Sequence, residues 1–437
     1  MLKKKFLTAS GLAIALSLSL SACGGGGDDA ATGDESTGTD GGGAVTLSIW
    51  HNSTTGDGKA WWEEVTAAYT EANPDVTFDI RAVQNEDMDG QLQNAVNSGD
   101  LPDIFMARGG QKLADFVEAD AVKDLTDKID ADVKSDIEGA LGAFVIDGKT
   151  YAMPTAVLPG GMFYSKDLFA AAGITAEPKT MDELNAAVTA LKGTGVQPIA
   201  LGAQDAWPAA HWYYFFALRE CSKDVIDAIS SNPDFSDGCW LKAGEDFQTF
   251  AATEPFNTGF LTTPAQEGAG SSAGLLANHQ AAMELMGGWD VGVIASLTPD
   301  QQPLPDLGWF PFPAVTGGAG DPSAMMGGVD GFSCSKESPA QCEDFLNFMM
   351  SQEWQESYAE AYQTIPASKA AQGAVADPAL EPIMAAYNDA AYVITWLDTL
   401  LGQNVGNALN TAVVEMLAGN GSPQGILDTI EQAAARG

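Results

Sequence analysis

Val45-Thr46-Leu47-Ser48-Ile49-Trp50 opens the stretch of sequence that decides the fold. Apolar and polar residues alternate along these six positions, which is the pattern of a half-buried strand. Helical spacing of apolar residues predicts a helix over residues 59–71 and a short helix over 91–97. Alternation predicts a second strand over 76–83, and an apolar run predicts a short buried strand over 103–106. This β-α-β-α-β order indicates an α/β lobe with a largely parallel sheet.

Two later helices carry start signals in the sequence. Thr180 and Glu183 have the spacing of a capping box, and so have Ser338 and Gln341. The apolar residues that follow recur at helical spacing in both cases. We therefore expect helices over residues 180–192, ended by Gly193, and over residues 338–350.

The first 43 residues have the composition of an export signal and a tether. Lys3 to Lys5 are followed by an apolar stretch at residues 6–20, and Leu20-Ser21-Ala22-Cys23 has the form of a lipobox. We expect a signal peptide at residues 1–22, a diacylglycerol (with palmitate as a membrane anchor) on Cys23, and a flexible tether of Gly, Asp, Ser and Thr at residues 23–43. The alternative is an ordinary signal peptide with an incidental cysteine. The lipobox predicts a protein held at the outer face of the cytoplasmic membrane.

The charge balance excludes some classes of partner. The 437 residues contain 59 Asp and Glu against 20 Lys and Arg, a formal net charge of -39. Such an acidic surface repels nucleic acid and anionic lipid, so nucleic acid is not expected as a partner. The charge does not identify a ligand.

Four cysteines remain beyond Cys23, and an even number in an exported chain suggests two disulfides. Local pairing, Cys221 with Cys239 and Cys334 with Cys342, is the simplest of the three possible connectivities. A metal site is the competing interpretation. It is disfavoured because no Cys-x-x-Cys occurs and the three histidines are scattered, so neither a metal nor a cofactor is expected.

Several short motifs, in this order, resemble a known family. They are Leu101-Pro102-Asp103-Ile104, GKTYAMP at 148–154, FYSKDLF at 163–169, Gly173-Ile174, PKTMDEL at 178–184, AAM at 281–283 with GGW at 287–289, and PFP at 311–313. The chain resembles the extracellular solute-binding proteins of family 1, the maltose-binding-protein-like carbohydrate receptors of ABC importers, along most of residues 45–437. Ser165 stands where an asparagine is usual, and Met106 where some members have an aromatic residue.

The resemblance implies an α/β fold of the type II periplasmic-binding-protein kind. Its two lobes, each with a mainly parallel sheet flanked by helices, are joined by a hinge of two or three strands. By similarity, residues 44–153 and 308–365 form the N-lobe, and residues 154–307 and 366–437 form the C-lobe. A monomer captures a sugar in the cleft between them. The lobes close over it, and the importer's permease subunits recognise the closed form.

Aromatic residues followed or preceded by a carboxylate are the first candidates for a sugar site. Trp289-Asp290 follows two glycines, and Asp205 precedes Trp207 in what we expect to be a loop. An indole ring stacks on the C–H face of a sugar, and a carboxylate accepts from its hydroxyls. The aromatic run at residues 211–216 surrounds a helix on all sides and is expected to be core, although Trp212 could border the cleft.

Further candidates follow the ends of strands, where ligands meet α/β sheets. These are His51 and Asn52 after the first strand, Asn85 and Glu86 after the second, and Arg108 after the third. The resemblance adds Gly327, Gly328 and Asp330 on a returning strand. Gln403 and Asn404, which precede the last helices, are candidates for capping the cleft.

Other functions remain open on the sequence alone. Gly270-Ser271-Ser272-Ala273-Gly274 matches the G-x-S-x-G nucleophile motif, but no apolar strand precedes it, so no catalytic residue is assigned and no enzyme is expected. An exported glycosidase is the main enzyme alternative. A receptor for a peptide, a polyol or a metal is the main binding alternative. Within the carbohydrate reading, a di- or oligosaccharide fits several tryptophans better than a monosaccharide.

Overall fold

The computed structural model describes residues 44–54, 56–229 and 233–436. The predicted signal peptide, the lipidated Cys23 and the tether lie outside the described residues. The strands are β1 Val45–His51, β2 Val76–Ala82, β3 Ile104–Arg108, β4 Val145–Ile146, β5 Lys149–Thr150, β6 Met153–Ser165, β7 Gln197–Ala200, β8 Ala281–Gly287, β9 Leu307–Phe310, β10 Met325–Cys334, β11 Ile365–Pro366 and β12 Val393–Thr395.

Helices surround the strands. They are α1 Gly56–Ala72, α2 Asn85–Ser98, α3 Gly110–Glu118, α4 Ala131–Asp136, α5 Glu138–Leu141, α6 Lys166–Ala171, α7 Met181–Thr194, α8 Trp207–Glu220, α9 Lys223–Ala228, α10 Gly238–Ala251, α11 Ser272–Ala277, α12 Asp290–Leu297, α13 Gln341–Met349, α14 Gln352–Tyr362, α15 Glu381–Asp389, α16 Leu397–Leu400, α17 Gln403–Leu417 and α18 Pro423–Ala434. Within the described part of the chain, no helix combines the length and the apolar character that a membrane span requires.

The opening β-α-β-α-β unit is confirmed, and β1 lies between β2 and β3 with both neighbours parallel to it. The complete sheet is mixed rather than mainly parallel. Its strand order is β2-β1-β3-β10-β6-β8-β7, and β10 runs antiparallel to both β3 and β6, as β6 does to β8 and β9. Strands β6 and β10 therefore run opposite in direction to their neighbours, in contrast to the parallel β1-β2-β3 unit.

The long strand β6 serves both halves of the sheet. Residues 153–159 pair with β10, and residues 160–165 pair with β8 and β9. All thirteen residues of this strand are buried. One extended segment therefore joins the β1-β2-β3 half to the β7-β8-β9 half.

Two hydrophobic clusters of buried side chains lie on this sheet. The first core contains Trp61 and Trp62 of α1 together with residues of β1, β3, α13 and α14. The second core contains the aromatic side chains of α8 and α10 together with residues of β7, β8 and α17. Trp289 packs against both cores, so this ring lies where the two clusters meet. The predicted lobe boundaries themselves stay a prediction.

The two predicted capping boxes have different outcomes. At α7 the Thr180 hydroxyl accepts from the Glu183 N–H, and the Glu183 carboxylate accepts from the Thr180 N–H, so this box is confirmed. The helix ends at Gly195, which has φ of 85°, and not at Gly193. The box at Ser338 is wrong. Its hydroxyl donates instead to the Ser335 carbonyl at 2.7 Å, and α13 begins only at residue 341.

Both predicted disulfides are present. Cys221, just after α8, is bonded to Cys239 of α10. Cys334, the last residue of β10, is bonded to Cys342 in the first turn of α13. In each bond the two cysteines are therefore close together in the sequence. The second bond attaches strand β10 to the helix α13 that follows it.

Candidate functional site

Three tryptophans and a histidine form one aromatic cluster. The ring centroids of Trp207 and Trp289 are 6.0 Å apart, and those of Trp289 and Trp396 are 5.9 Å apart. His211 stacks on Trp396 at 4.1 Å with the two rings 10° from parallel. Trp207 and Trp289 are half-buried, whereas Trp396 and His211 are buried. The two tryptophans predicted from sequence, Trp207 and Trp289, thus share one surface. Their partly exposed indole rings pack on the buried rings of Trp396 and His211.

Glycines make room for these rings. A Cβ on Gly287 would lie 1.9 Å from the Trp289 ring, and one on Gly160 would lie 2.4 Å from Trp396. A Cβ on Gly328 would lie 2.8 Å from Nε1 of Trp396. Because real Cβ contacts do not reach these distances, the rings can lie on the sheet only where side chains are absent.

Trp207 owes its position to the start of α8. It is the first residue of the helix, with Pro208 next to it, and Ala206 before it has φ of 63°. The expectation of a loop at Trp207 was therefore wrong, because a proline is well tolerated in the first turn of a helix. Asp205 is half-buried, and its Oδ2 accepts from the Ala265 N–H at 2.7 Å. That bond fixes the turn from which Trp207 emerges.

Polar residues of the first half of the sheet meet at the carboxyl ends of its parallel strands. Asn52 donates to Oδ1 of Asn85 at 3.3 Å, and Arg108 donates to the same oxygen at 2.6 Å. Asn85 is not a loop residue but the first residue of α2, which begins six residues earlier than predicted. The structure therefore brings these three predicted residues together, each of them partly exposed.

Arg108 belongs to a group of paired charges. Its Nε lies 3.7 Å from Asp89, whose other oxygen accepts from Lys112 at 2.8 Å. Burial alone would raise the pKa of Asp89, but the positive charges of Arg108 and Lys112 together lower it by more, so the pKa of that carboxyl is lowered. Asp330 pairs with Arg108 in the β10–β3 register. Burial raises the pKa of Asp330, and Arg108 offsets part of the rise.

Gln403 borders the same group. Together with Asp89, Arg108 and Lys112 it lines a cavity of about 20 Å³, room for about one water molecule. Gln403 is the first residue of α17, and Asn404, the second residue, is exposed. Gly327 and Gly328 lie on β10, buried and partly exposed respectively. Gln403 thus lies among the charged side chains, whereas Gly328 lies against Trp396.

Glu86 faces the aromatic cluster from the other side. Burial raises the pKa of this carboxyl, and the negative charges of Asp205 and Glu267 raise it further. The nearby Trp207 side chain offsets part of this rise in the pKa of Glu86. Nε1 of Trp207 is itself buried and has no hydrogen-bond partner of ordinary geometry among the described residues. Glu86 of α2 and Trp207 of α8 therefore approach each other across the two halves of the sheet.

The expected position of His51 was wrong. The side chain is 1% exposed and stacks on Trp62 with ring centroids 4.9 Å apart. Its Nδ1 accepts from the Ser53 N–H at 3.2 Å, which fixes Nε2 as the protonated nitrogen of the neutral ring. Burial lowers its pKa to about 4, and nearby Lys59 contributes. His51 is the last residue of β1, and the alternation of the strand turns it into the first core instead of the site.

Asp290 likewise lies away from the surface where the sequence placed it. It is fully buried with Glu284, and their four carboxyl oxygens have no hydrogen-bond partner of ordinary geometry among the described residues. Burial raises the pKa of Glu284 well above its usual value, and Asp290 raises it further. Burial raises the pKa of Asp290 to about 7, and the Glu284 side chain offsets part of the rise. Asp290 is the first residue of α12 and is fully buried, whereas Trp289 directly before it is half-buried.

The aromatic run of α8 is core, as predicted. Trp212 is fully buried against Phe247 and Phe250 of α10, so it does not border the site. The serine of the G-x-S-x-G match, Ser272, is fully buried at the start of α11, where its hydroxyl donates to the Ala265 carbonyl at 2.9 Å. Among the described residues, no group of three or more His, Cys, Asp or Glu side chains is arranged to hold a metal ion.

Sequence reasoning missed Trp396, Lys112 and Asp398. Lys112 is 9% exposed and lies 3.8 Å from Asp398. Trp396 and Asp398 stand outside any motif and far along the chain from Trp207 and Trp289. One signal for Trp396 was available, since a glycine within a strand, here Gly328, can mark a close approach of another group.

A larger cavity lies elsewhere in the molecule. Its volume is about 680 Å³, and its lining includes Lys192, Gln197, Phe256, Phe260 and Met416. Gln197 is the first residue of β7, whereas the tryptophans follow the carboxyl-terminal ends of β7 and β8. This cavity therefore opens at the opposite edge of the sheet from the aromatic cluster.

Comparison with known proteins relates this chain to bacterial binding proteins. The family model of the bacterial extracellular solute-binding proteins matches residues 51–356. The diacetylchitobiose-binding protein DasA of Streptomyces coelicolor is 27% identical over 381 residues, which cover 85% of this chain and 84% of DasA. Binding proteins of Brucella abortus are 29% identical over 168 residues, and the match spans only 41% of their length.

Solved structures share the fold. One, from work on xylan utilization by the thermophilic bacterium Caldanaerobius polysaccharolyticus, has a TM-score of 0.81 at 23% identity over 89% of this chain and 99% of that one. A chitin oligosaccharide binding protein has a TM-score of 0.80 at 24% identity, over 90% of this chain and 99% of that one. These likenesses extend over nearly the whole described chain, so the two halves of the sheet together form one known architecture.

Proposed function

Because this chain belongs to the bacterial extracellular solute-binding proteins, we propose that it captures a di- or oligosaccharide and delivers it to the permease of an ABC importer. The family is extracellular, so the protein is exported. The sugar binds between the β1-β2-β3 half and the β7-β8-β9 half and leaves chemically unchanged.

The observation that carries the proposal is the aromatic cluster of Trp207, Trp289 and Trp396. Two of the rings are partly exposed, and all three lie within about 6 Å of a neighbouring ring. A sugar needs flat apolar surfaces for its C–H faces and planar polar groups for its hydroxyls. Arg108, Asn52 and Asn85 supply amide and guanidinium groups on the facing side.

The ligands of the similar proteins support the same class of solute. DasA is named for diacetylchitobiose, and the solved neighbours are a chitin oligosaccharide binding protein and a protein from work on xylan. All of these names refer to sugars or polymers of sugars. A peptide or polyol receptor is the binding alternative, and an exported glycosidase the enzymatic one.

Two lobes move about a hinge in this proposal. As the sequence predicts them, the N-lobe comprises residues 44–153 and 308–365, and the C-lobe residues 154–307 and 366–437. Strand β6 supports a division into two lobes, because residues 153–159 pair with β10 and residues 160–165 pair with β8 and β9. Since β9 pairs with the C-lobe half of the sheet, we propose that the second N-lobe segment begins after β9 rather than within it. Ligand binding shifts the population towards a closed form that the permease recognises.

The same proposal includes the membrane anchor. Cleavage before Cys23 and lipidation of its thiol attach the monomeric protein to the outer face of the cytoplasmic membrane, where the tether at residues 24–43 leaves it free to turn. Mass spectrometry of the protein purified from membranes tests this part, because a diacylglycerol adds a defined mass to Cys23.

Isothermal titration calorimetry against a panel of sugars tests the function. The panel contains chito-, xylo- and malto-oligosaccharides with peptides and polyols as controls, and chromatography of the same samples reveals any hydrolysis. We expect saturable binding of one sugar class with no product. A ligand at 100 times its dissociation constant adds about 2.7 kcal/mol to the unfolding free energy, so thermal shifts provide an independent check.

The tryptophan variants locate the binding surface. We expect Trp289→Ala to weaken binding by about 100-fold or more, since central aromatic residues dominate binding energies. The matched control is Trp50→Ala. Trp50 lies on β1, is half-buried and packs under Arg81 of β2, away from the cluster. Unchanged affinity in Trp289→Ala, or binding of peptides instead of sugars, would contradict the proposal.

A further inference from the structure

A continuous line of polar side chains runs from the candidate site to the interior of the second core. It begins with Asn85 and Arg108, passes through Asp89 to Lys112, and reaches Asp398 at 3.8 Å. From there Asn410 donates to Asp398 at 3.4 Å, and the Tyr214 hydroxyl bonds to Asn410. The first four side chains belong to the half with β1-β2-β3, whereas Asp398, Asn410 and Tyr214 belong to α16, α17 and α8.

Backbone contact accompanies this line where α3 meets α16. Gly110 has φ of 65°, and a Cβ there would lie 2.7 Å from the Thr399 carbonyl. On the other side, a Cβ on Gly402 would lie 2.9 Å from Gln111. The short helix α16 is therefore held directly against the start of α3. Lys112 is in the first turn of α3, and Trp396 immediately precedes α16.

The charge of Lys112 matters at this contact because little water reaches it. The side chain is 9% exposed, and its partners Asp89 and Asp398 are 22% and 14% exposed. Removing one member of such a group leaves the others buried without compensation, and the elements that carry them then move towards water. The element that carries Asp398 is the four-residue α16, which Trp396 immediately precedes.

We propose that Lys112 is a positioning residue for Trp396, acting through its ion pair with Asp398. This inference rests on the proposed sugar-binding function. Lys112 does not touch the sugar. It fixes α16 against α3, so that the Trp396 ring stays between His211 and Trp289 at 4.1 and 5.9 Å from their ring centroids. A site held this rigidly loses affinity when its supporting residue is changed, even though every ring is still present.

The test compares Lys112→Met, which keeps most of the apolar stem, with Lys112→Arg, which keeps the charge. Affinity for the sugar that binds the unaltered protein is measured by calorimetry, and unfolding temperature by differential scanning. We expect Lys112→Met to weaken binding by about tenfold and Lys112→Arg to restore most of it. Lys242→Met, which breaks the Lys242–Asp246 pair of α10, is the matched control and should leave the affinity unchanged.

A double-mutant cycle separates positioning from a general loss of stability. In a Trp396→Ala background, Lys112→Met should cause little further loss of affinity, because the ring that it positions is gone. Asp398→Asn serves as a second route if Lys112→Met does not fold. Losses that add independently of Trp396, or equal affinity in all Lys112 variants, overturn the inference. Absence of sugar binding in the unaltered protein instead overturns the proposed function on which it rests.

Discussion

At the scale of single residues, Trp289 depends on the glycine two positions before it. Its ring lies over Gly287, where a Cβ would be 1.9 Å away, whereas a Cβ on the adjacent Gly288 would be 3.6 Å from Pro159. We expect Gly287→Ala to displace the indole, destabilise the protein by about 1–3 kcal/mol and weaken sugar binding by about tenfold or more. Gly288→Ala is the matched control and should change neither. Calorimetric titration and urea unfolding of both variants measure the difference.

The carboxyl pair beneath Trp289 makes stability depend on pH. The pKa of Glu284 and that of Asp290 are raised in the folded state, the latter to about 7. The folded protein therefore binds more protons than the unfolded chain above pH 4, and its stability falls as the pH rises towards 7 and beyond. Glu284→Gln removes the part of this loss that Glu284 contributes, because an amide has no charge to bury and can donate to Asp290.

We expect Glu284→Gln to be more stable than the unaltered protein at pH 8, by about 1 kcal/mol or more, with a smaller difference at pH 5. Urea unfolding at both pH values measures this. Glu415→Gln, on the exposed side of α17, is the control and should show no such pH-dependent gain. A constant difference between pH 5 and pH 8 would contradict the raised pKa of Glu284 in the folded protein.

Single residues also show what a sequence can predict about a site. Trp207 and Trp289 were recognisable because glycine or a turn stands beside each of them. Asn52, Asn85 and Arg108 were recognisable because parallel strands end at one edge. His51 and Asp290 were placed wrongly, since which side of a strand end or helix start faces inward depends on what packs there. Trp396 was missed because its partners are distant in sequence.

At the scale of elements, the disulfide between β10 and α13 has a measurable effect. It closes a loop with a sequence separation of 8, for which the chain-entropy relation gives about 2–3 kcal/mol of stabilisation. We expect the double variant Cys334→Ser, Cys342→Ser to lose about this much unfolding free energy in urea. Sugar affinity should be retained, because neither cysteine contacts the aromatic cluster. A loss of affinity without loss of stability would contradict this separation.

The helix starts explain why local signals succeed unevenly. The Thr180 box formed because both of its hydrogen bonds lie within the helix that it caps. The same spacing at Ser338 and Gln341 did not form one, because the Ser338 hydroxyl donates to the Ser335 carbonyl instead. Strands β1 and β2 were predictable from alternation, and β3 from its short apolar run after Leu101-Pro102. The mixed sheet was not, because strand direction depends on long-range returns of the chain.

At the scale of the whole molecule, the shared strand β6 predicts a change of shape on binding. The extended strands β6 and β10 join the two halves in the middle of the sheet, and rotation about such strands alters the cleft between the halves. We expect the radius of gyration from small-angle X-ray scattering to fall when the sugar is added. Trp289→Ala at the same sugar concentration should show no decrease. An unchanged radius for the unaltered protein at saturation would contradict closure.

The pattern of the two disulfides has a consequence for how the protein reaches its oxidised form. Each bond joins cysteines that lie close together in the sequence, with separations of 18 and 8. An exported chain emerges from the translocation channel from its N-terminus, so Cys221 and Cys239 are both outside before Cys334 appears. The order of emergence thus favours the native pairs over crossed ones as the chain is oxidised.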